Sequence, residues 1–209
     1  MIRRTTILLL LFVSTFAWAD KQDLARFLPK ECHHHGEFIQ QKQLAALAEP
    51  LTSQGRFAFS CEAGLIWHSD SPLRETLVYP LKLAPWGLNA QGQRQTLDGP
   101  VHKQLGNLLN RLIGGDLSYL ERHFLISQSS AEDQPESLTL VPKAGRMKRF
   151  IQNIRVLPGS DQVEILMTHT AEEYTRIQIH AQQSLTQLNA QSCTDALPDL
   201  ASACQGLLP

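Results

Sequence analysis

The chain has 209 residues, 20 of them acidic and 19 basic, for a formal net charge of −1. That balance excludes the basic surplus of a nucleic-acid-binding protein, and the length suffices for one well-filled domain. The opening Met1-Ile2-Arg3-Arg4 is positive, Ile7 to Val13 is apolar, and Ala17-Trp18-Ala19 is a small-x-small site. These are the three parts of a cleaved secretory signal. The apolar run is too short for a spanning helix, which needs about 20 such residues. Residues 1–19 are therefore expected to be a signal peptide, and 20–209 a single mature domain beginning at Asp20. Cleavage removes Arg3 and Arg4, leaving 17 basic against 20 acidic residues and a net charge of −3. No cysteine directly follows the apolar run, where a lipid-modified lipoprotein would need one; the first is Cys32. The mature protein is expected to be soluble and periplasmic.

Leu24, Phe27 and Leu28 recur at helical spacing before Pro29, which predicts a short amphipathic helix over 20–28. From Gly36 the pattern turns to strands. Phe57 and Phe59 sit two residues apart and so share a face. Residues 65–68 and 75–81 continue the pattern across the turn-prone Asp70-Ser71-Pro72, and short strands are expected over 83–89 and 94–97.

The clearest helix follows. Asp98 or Gly99 caps it, Pro100 suits its first turn, and Gly114-Gly115 ends it. Val101, Leu105, Leu108, Leu109, Leu112 and Ile113 form one stripe, with His102, Lys103, Asn107 and Arg111 opposite. Asp116 starts a second short helix to Arg122. Strands are then expected over 124–129, 137–141, 151–157, 162–169 and 173–181. Closely spaced sequential strands predict an antiparallel meander, a curved sheet with helices packed on one face.

All four cysteines (Cys32, Cys61, Cys193, Cys204) lie in the exported part, where an oxidising compartment favours disulfides. Four cysteines allow three pairings. Cys193 and Cys204 bracket a short polar tail, so a local staple is preferred there, which leaves Cys32 with Cys61. There is no C-x-x-C to suggest redox chemistry.

Signals for catalysis are weak. No G-x-S-x-G, H-E-x-x-H or phosphate-binding loop occurs. The adjacent carboxylates Glu132-Asp133 and Glu172-Glu173 read as solvated. His33-His34-His35 could hold Zn²⁺ or Cu²⁺, but neighbours on an extended chain point in alternate directions. The basic run Arg146-x-Lys148-Arg149 reads as a soluble face, or as a contact for anionic headgroups or an acidic partner surface.

Several phrases together resemble the periplasmic outer-membrane lipoprotein carriers of the LolA-like family. They are Phe38-x-Gln40-x-Lys42, Pro50-Leu51-x-Ser53-x-Gly55-Arg56-Phe57-x-Phe59 and Gly64-Leu65-Ile66-Trp67-x-x-x-x-Pro72. Further on come Gly114-Gly115-Asp116 and Leu138-x-Leu140-x-Pro142-Lys143. The resemblance spans roughly residues 38–181. It implies an α+β fold, an incomplete antiparallel β-barrel with helices covering an apolar cavity. It also implies a non-enzymatic, cofactor-free and monomeric carrier. Such a carrier takes the acyl chains of lipoproteins, or another acyl lipid, from an inner-membrane donor to an outer-membrane acceptor.

On that pattern the cavity wall comprises Phe57, Phe59, Leu65, Trp67, Leu77, Tyr79, Leu105, Leu109, Leu138 and Leu140. Without it, the same residues read equally as ordinary core. Relatives usually carry an arginine on the strand before the tryptophan; here Cys61 stands roughly there, and Arg56 is not assigned its role. The alternatives are a carrier or assembly factor for a non-lipoprotein acyl lipid, and a lipid-processing enzyme or metal-binding accessory protein using His33 to His35.

Overall fold

The computed structural model describes residue 24 and residues 26–129, 136–159 and 162–208. The expected signal peptide, most of the expected helix over 20–28, and Glu132-Asp133 lie outside the described residues. Among the described residues, eleven strands and four α-helices of a turn or more follow in order: β1 (His33–Gln43), β2 (Leu51–Ser60), β3 (Gly64–Ser71), β4 (Glu75–Pro80), β5 (Trp86–Leu88), β6 (Arg94–Thr96), α1 (Pro100–Ile113), α2 (Leu117–His123), β7 (Phe124–Ser129), β8 (Ser137–Pro142), β9 (Asn153–Pro158), β10 (Gln162–Thr168), β11 (Tyr174–Ser184), α3 (Ala190–Ala196) and α4 (Ala201–Leu207).

The strands form one sheet in the order β6-β5-β4-β3-β2-β1-β11-β10-β9-β8-β7. Neighbours are antiparallel, and only the central pair, β1 with β11, is not consecutive in sequence. The edge strands β6 and β7 do not meet, so the barrel stays open. The segment holding α1 and α2 runs from one edge strand to the other.

Strand alternation divides the side chains between two faces. On the concave face Phe38, Phe57, Phe59, Leu65, Trp67, Tyr79, Leu138 and Leu140 meet the buried stripe of α1 (Leu108, Leu109, Leu112, Ile113). On the convex face Ala58, Ile66, Val78 and Trp86 form a second core with Leu197, Leu200, Ala203 and Leu207, around the Cys193–Cys204 disulfide. Helices thus pack on both faces, where the sequence pattern led to one. The difference arises because the tail, read as a short polar stapled segment with no helix assigned, folds into α3 and α4 and buries an apolar side of its own.

Local chemistry sets α1 in place. Gly99 is its extended N-cap and Pro100 occupies the first turn, while Gly114 N–H bonds back to Asn110 O. Gly115 follows at φ +63°, a conformation that side chains with a Cβ rarely adopt. At Gly106 a Cβ would lie 2.1 Å from the Tyr79 ring, so only glycine lets the helix come this close to β4. Asn110, buried on that same side, donates to Tyr79 O at 2.9 Å. Asp116 caps α2 by accepting from Tyr119 N–H at 2.9 Å.

A polar cluster ties the convex layer to the sheet. Arg56 donates to both Asp70 oxygens, at 3.2 and 2.8 Å, and its Nη2 lies 3.5 Å from Asp199 between α3 and α4. The Arg56 guanidinium holds the Asp70 carboxyl below the usual carboxylate range. No helix among the described residues is long and apolar enough to cross a membrane.

Candidate functional site: a blind apolar cavity

Between α1 and the β1/β11/β10 region of the concave face lies a cavity of about 420 Å³. Leu105, Leu108 and Leu109 of α1 form one wall. Ile151, Met167 and Ile177 form the other, with Met147 beside them. Its rim is polar and includes Gln40, Lys42, Gln43, Arg149, His169 and Glu173. Lys42 continues the inward-facing row of Phe38 and Gln40 along β1. Arg149 belongs to the single 3₁₀ turn Arg146–Arg149 that precedes β9.

The register shows where the cavity opens. Gln43 pairs with Tyr174, Thr168 with Tyr174, and Asn153 with Thr168. The rim therefore collects at one end of the strands, near the β1–β2 and β10–β11 connections. At the opposite end the barrel is filled. Phe27 and Leu28 pack with Leu112 and Ile113 around a space of only about 10 Å³, too small for more than about one water. The Cys32–Cys61 disulfide joins the entry of β1 to the β2–β3 turn at that same end. The cavity is blind there.

The sequence-derived wall residues fall into two groups. Leu105 and Leu109 line the cavity. Phe57, Phe59, Leu65, Trp67, Tyr79, Leu138 and Leu140 lie in the buried concave core, with Leu77 partly buried against it. Within that core Phe38 stacks on Trp67, and the Tyr79 phenol is pushed up by burial. Tyr79 also borders a second hollow of about 360 Å³ between α1 and the β4–β5 connection, lined by Lys103, Gly106 and Asn110 among others.

Sequence reasoning missed the sheet-side wall of Ile151, Met167 and Ile177. The alternation of β10 and β11 points Met167 and Ile177 inward, and Ile151 lies just before β9, but nothing in the sequence separates a core position from a cavity position. Of the rim, sequence reasoning singled out Arg149, in the basic run, and Gln40 and Lys42 only within the resemblance; it did not place His169 and Glu173 there. His169 is held there from both ring nitrogens, Nδ1 lying 2.7 Å from Phe150 O and Nε2 2.9 Å from Thr175 Oγ1.

The histidine run does not converge on one point. His34 is buried inward between Phe57 and Phe59, with ring centroids at 5.6 and 5.3 Å, while His33 and His35 alternate to the other face. Burial lowers the pKa of His34 and of His35. No group of three or more His, Cys, Asp or Glu able to hold a metal ion occurs among the described residues. Cys61 is engaged in its disulfide, and Arg56 faces the convex layer, not the cavity.

No protein-family model matches the chain, and no curated protein matches it. The chain is similar to several solved structures. One is a DUF1329 family protein from Desulfovibrio piger, with TM-score 0.49 and 12% identity over 88% of this chain and 97% of that one. Another is a LolA superfamily protein from Nitrosomonas europaea, with TM-score 0.46 and 8% identity over 79% and 92%. A third is a domain from Vibrio parahaemolyticus described as an outer membrane lipoprotein-sorting protein, with TM-score 0.44 and 11% identity over 86% and 95%.

Proposed function

We propose that this protein is an exported, periplasmic carrier that shelters lipid acyl chains and performs no bond-making chemistry. The observation that carries the reading is the apolar cavity of about 420 Å³, closed at one end and open at the other. Its volume lies within the range of about 300–1,000 Å³ typical of ligand sites. Each methylene buried there is worth about 0.8 kcal/mol, so the space favours an acyl chain over water.

Two further features support the reading. Of the six exposed large apolar side chains among the described residues, five (Leu47, Leu51, Leu73, Leu125 and Phe150) lie toward the strand ends where the cavity opens. A carrier brings that end to a bilayer to load and unload. Two disulfides suit an oxidising compartment. The cargo is a lipoprotein's acyl chains or another acyl lipid, moved from an inner-membrane donor towards an outer-membrane acceptor. The test is a titration of delipidated mature protein with a neutral apolar fluorophore, N-phenyl-1-naphthylamine, and its displacement by acyl lipids. One-site saturation and displacement are expected; absence of any acyl-lipid binding overturns the carrier reading.

A further inference from the structure

The carrier reading leaves open what the cavity mouth faces when cargo enters or leaves, and the inference that follows rests on that reading. We propose that the mouth is a docking face for an anionic bilayer. Leu51, Leu73 and Phe150 enter the headgroup layer, and the basic connection between β8 and β9 meets its charge.

Charge is distributed by strand end. The hairpin connections at the open end (44–50, 72–74, 89–93, 143–152 and 169–173) hold Arg74, Lys143, Arg146, Lys148 and Arg149 against Glu49, Glu172 and Glu173. Those at the blind end (61–63, 81–85, 130–136 and 159–161) hold in sequence Glu62, Glu132, Asp133, Glu136 and Asp161 against Lys82. A chain of net charge −1 thus places a basic end around its cavity mouth. Most of those bases fall within residues 143–152, a stretch without an acidic residue. Lys148 and Arg149 are exposed there, and Arg149 and Phe150 also line the cavity. Near an anionic surface the basic end is drawn in and the acidic end held off, which orients the mouth before contact.

Apolar tips share that end. Leu73 is 77% exposed, Leu51 55% and Phe150 45%. Each comes from a different strand junction: Leu73 beside Arg74 in the β3–β4 turn, Leu51 opposite Lys42 at the start of β2, and Phe150 next to Arg149 before β9. A protein partner selects a contiguous apolar patch with a polar rim. Separate tips, each next to a base, suit a headgroup layer, which takes apolar side chains one at a time and adds electrostatic attraction when it is anionic.

The experiment is flotation of the mature protein with protein-free vesicles, either phosphatidylcholine alone or with about one-third phosphatidylglycerol, at about 0.05 and about 0.5 M salt. Anionic vesicles are expected to retain at least about tenfold more protein than neutral ones at the lower salt, and to lose this preference at the higher. Leu73→Ser/Lys148→Gln is expected to cut retention on anionic vesicles by at least about fivefold. Its apolar-probe affinity and thermal midpoint stay at the parent values, since both residues are exposed and neither lines the cavity. Leu83→Ser, at an equally exposed leucine of the β4–β5 connection near the blind end, is the matched control and is retained like the parent. Absent retention, equal retention on neutral vesicles, a preference unchanged in the double variant, or an equal loss in Leu83→Ser overturns the proposal. So does retention on native membrane vesicles alone, which makes the occupant a protein. All of these outcomes leave the carrier reading intact, because that reading fails separately, when no acyl lipid displaces N-phenyl-1-naphthylamine from the cavity.

Discussion

Phe38 of β1 stacks on Trp67 of β3, ring centroids 3.7 Å apart and planes 20° apart, although β2 runs between them. The stack is possible because Phe38 pairs with Gly55 on β2, a position on the same face with no side chain. Gly55 is also where β2 and β3 shift register; a Cβ there would lie 1.8 Å from the His68 carbonyl oxygen.

Gly55→Ala is therefore expected to push β2 off β3 and separate the stacked rings. The loss is on the order of 2–4 kcal/mol, in the range of overpacked or strained core positions. Urea unfolding monitored by Trp67 fluorescence checks it. A variant as stable as the parent would show that the sheet yields at this bulge.

At the cavity wall, Leu105→Asp puts an ion where an acyl chain would lie, and its desolvation costs several kcal/mol. Apolar-probe affinity is expected to fall by at least about tenfold while the fold persists, because Leu105 is only partly buried. Leu109 is 5% exposed and packs in the core as well, so Leu109→Asp is expected to lower stability too. Asn107→Asp on the exposed side is the control. Probe affinity unchanged in folded Leu105→Asp would remove α1 from the binding wall.

The strand order along the chain, the α1 boundaries and both cysteine pairings were legible in the sequence. Period-two alternation, Pro100 and Gly114-Gly115 are strong local signals. Two things were not legible. Cavity and core share one chemistry, so Leu138 and Leu105 look alike until the volume between them is known. The second core was hidden because the tail's apolar residues, Leu188, Leu197, Leu200, Ala203 and Leu207, are spread among polar ones. They converge only once the helical turns and the disulfide have formed.

Removing that staple tests the convex layer. Cys193→Ala/Cys204→Ala opens a cross-link of sequence separation 11, worth about 2–3 kcal/mol in the chain-entropy model. Hydrogen exchange is expected to accelerate across 188–208 and around Trp86, against which Gly206 packs. The cavity, on the other face, keeps its probe affinity. Exchange unchanged in the tail would mean that packing alone holds it.

Stability is expected to depend on pH through buried histidines. Burial holds His34, His35 and His68 below the ordinary value of 6.5. In the unfolded chain these residues take up protons as pH falls through 6.5, while the folded ones resist. Their contribution is thus complete above that value and is lost as pH drops below it. His34→Leu removes the most enclosed of the three by the same desolvation argument. It is expected to make the decline in unfolding free energy between about pH 7.5 and about pH 5.5 shallower. An identical slope in the variant would rule out His34 as a contributor.

The junction of β1 with β11 has a kinetic consequence. Every other strand pair joins segments adjacent along the chain, so two meanders can assemble separately, but Gln43 must find Tyr174 across the whole of both. Distant pairings bear the largest loop-closure cost and form slowly. The cavity straddles this seam, taking Gln40 and Lys42 from one side and Thr175 and Ile177 from the other. Lipid-binding competence should accordingly be the last property the chain acquires on refolding, and a bound chain, bridging both halves, should brace the seam and slow its reopening.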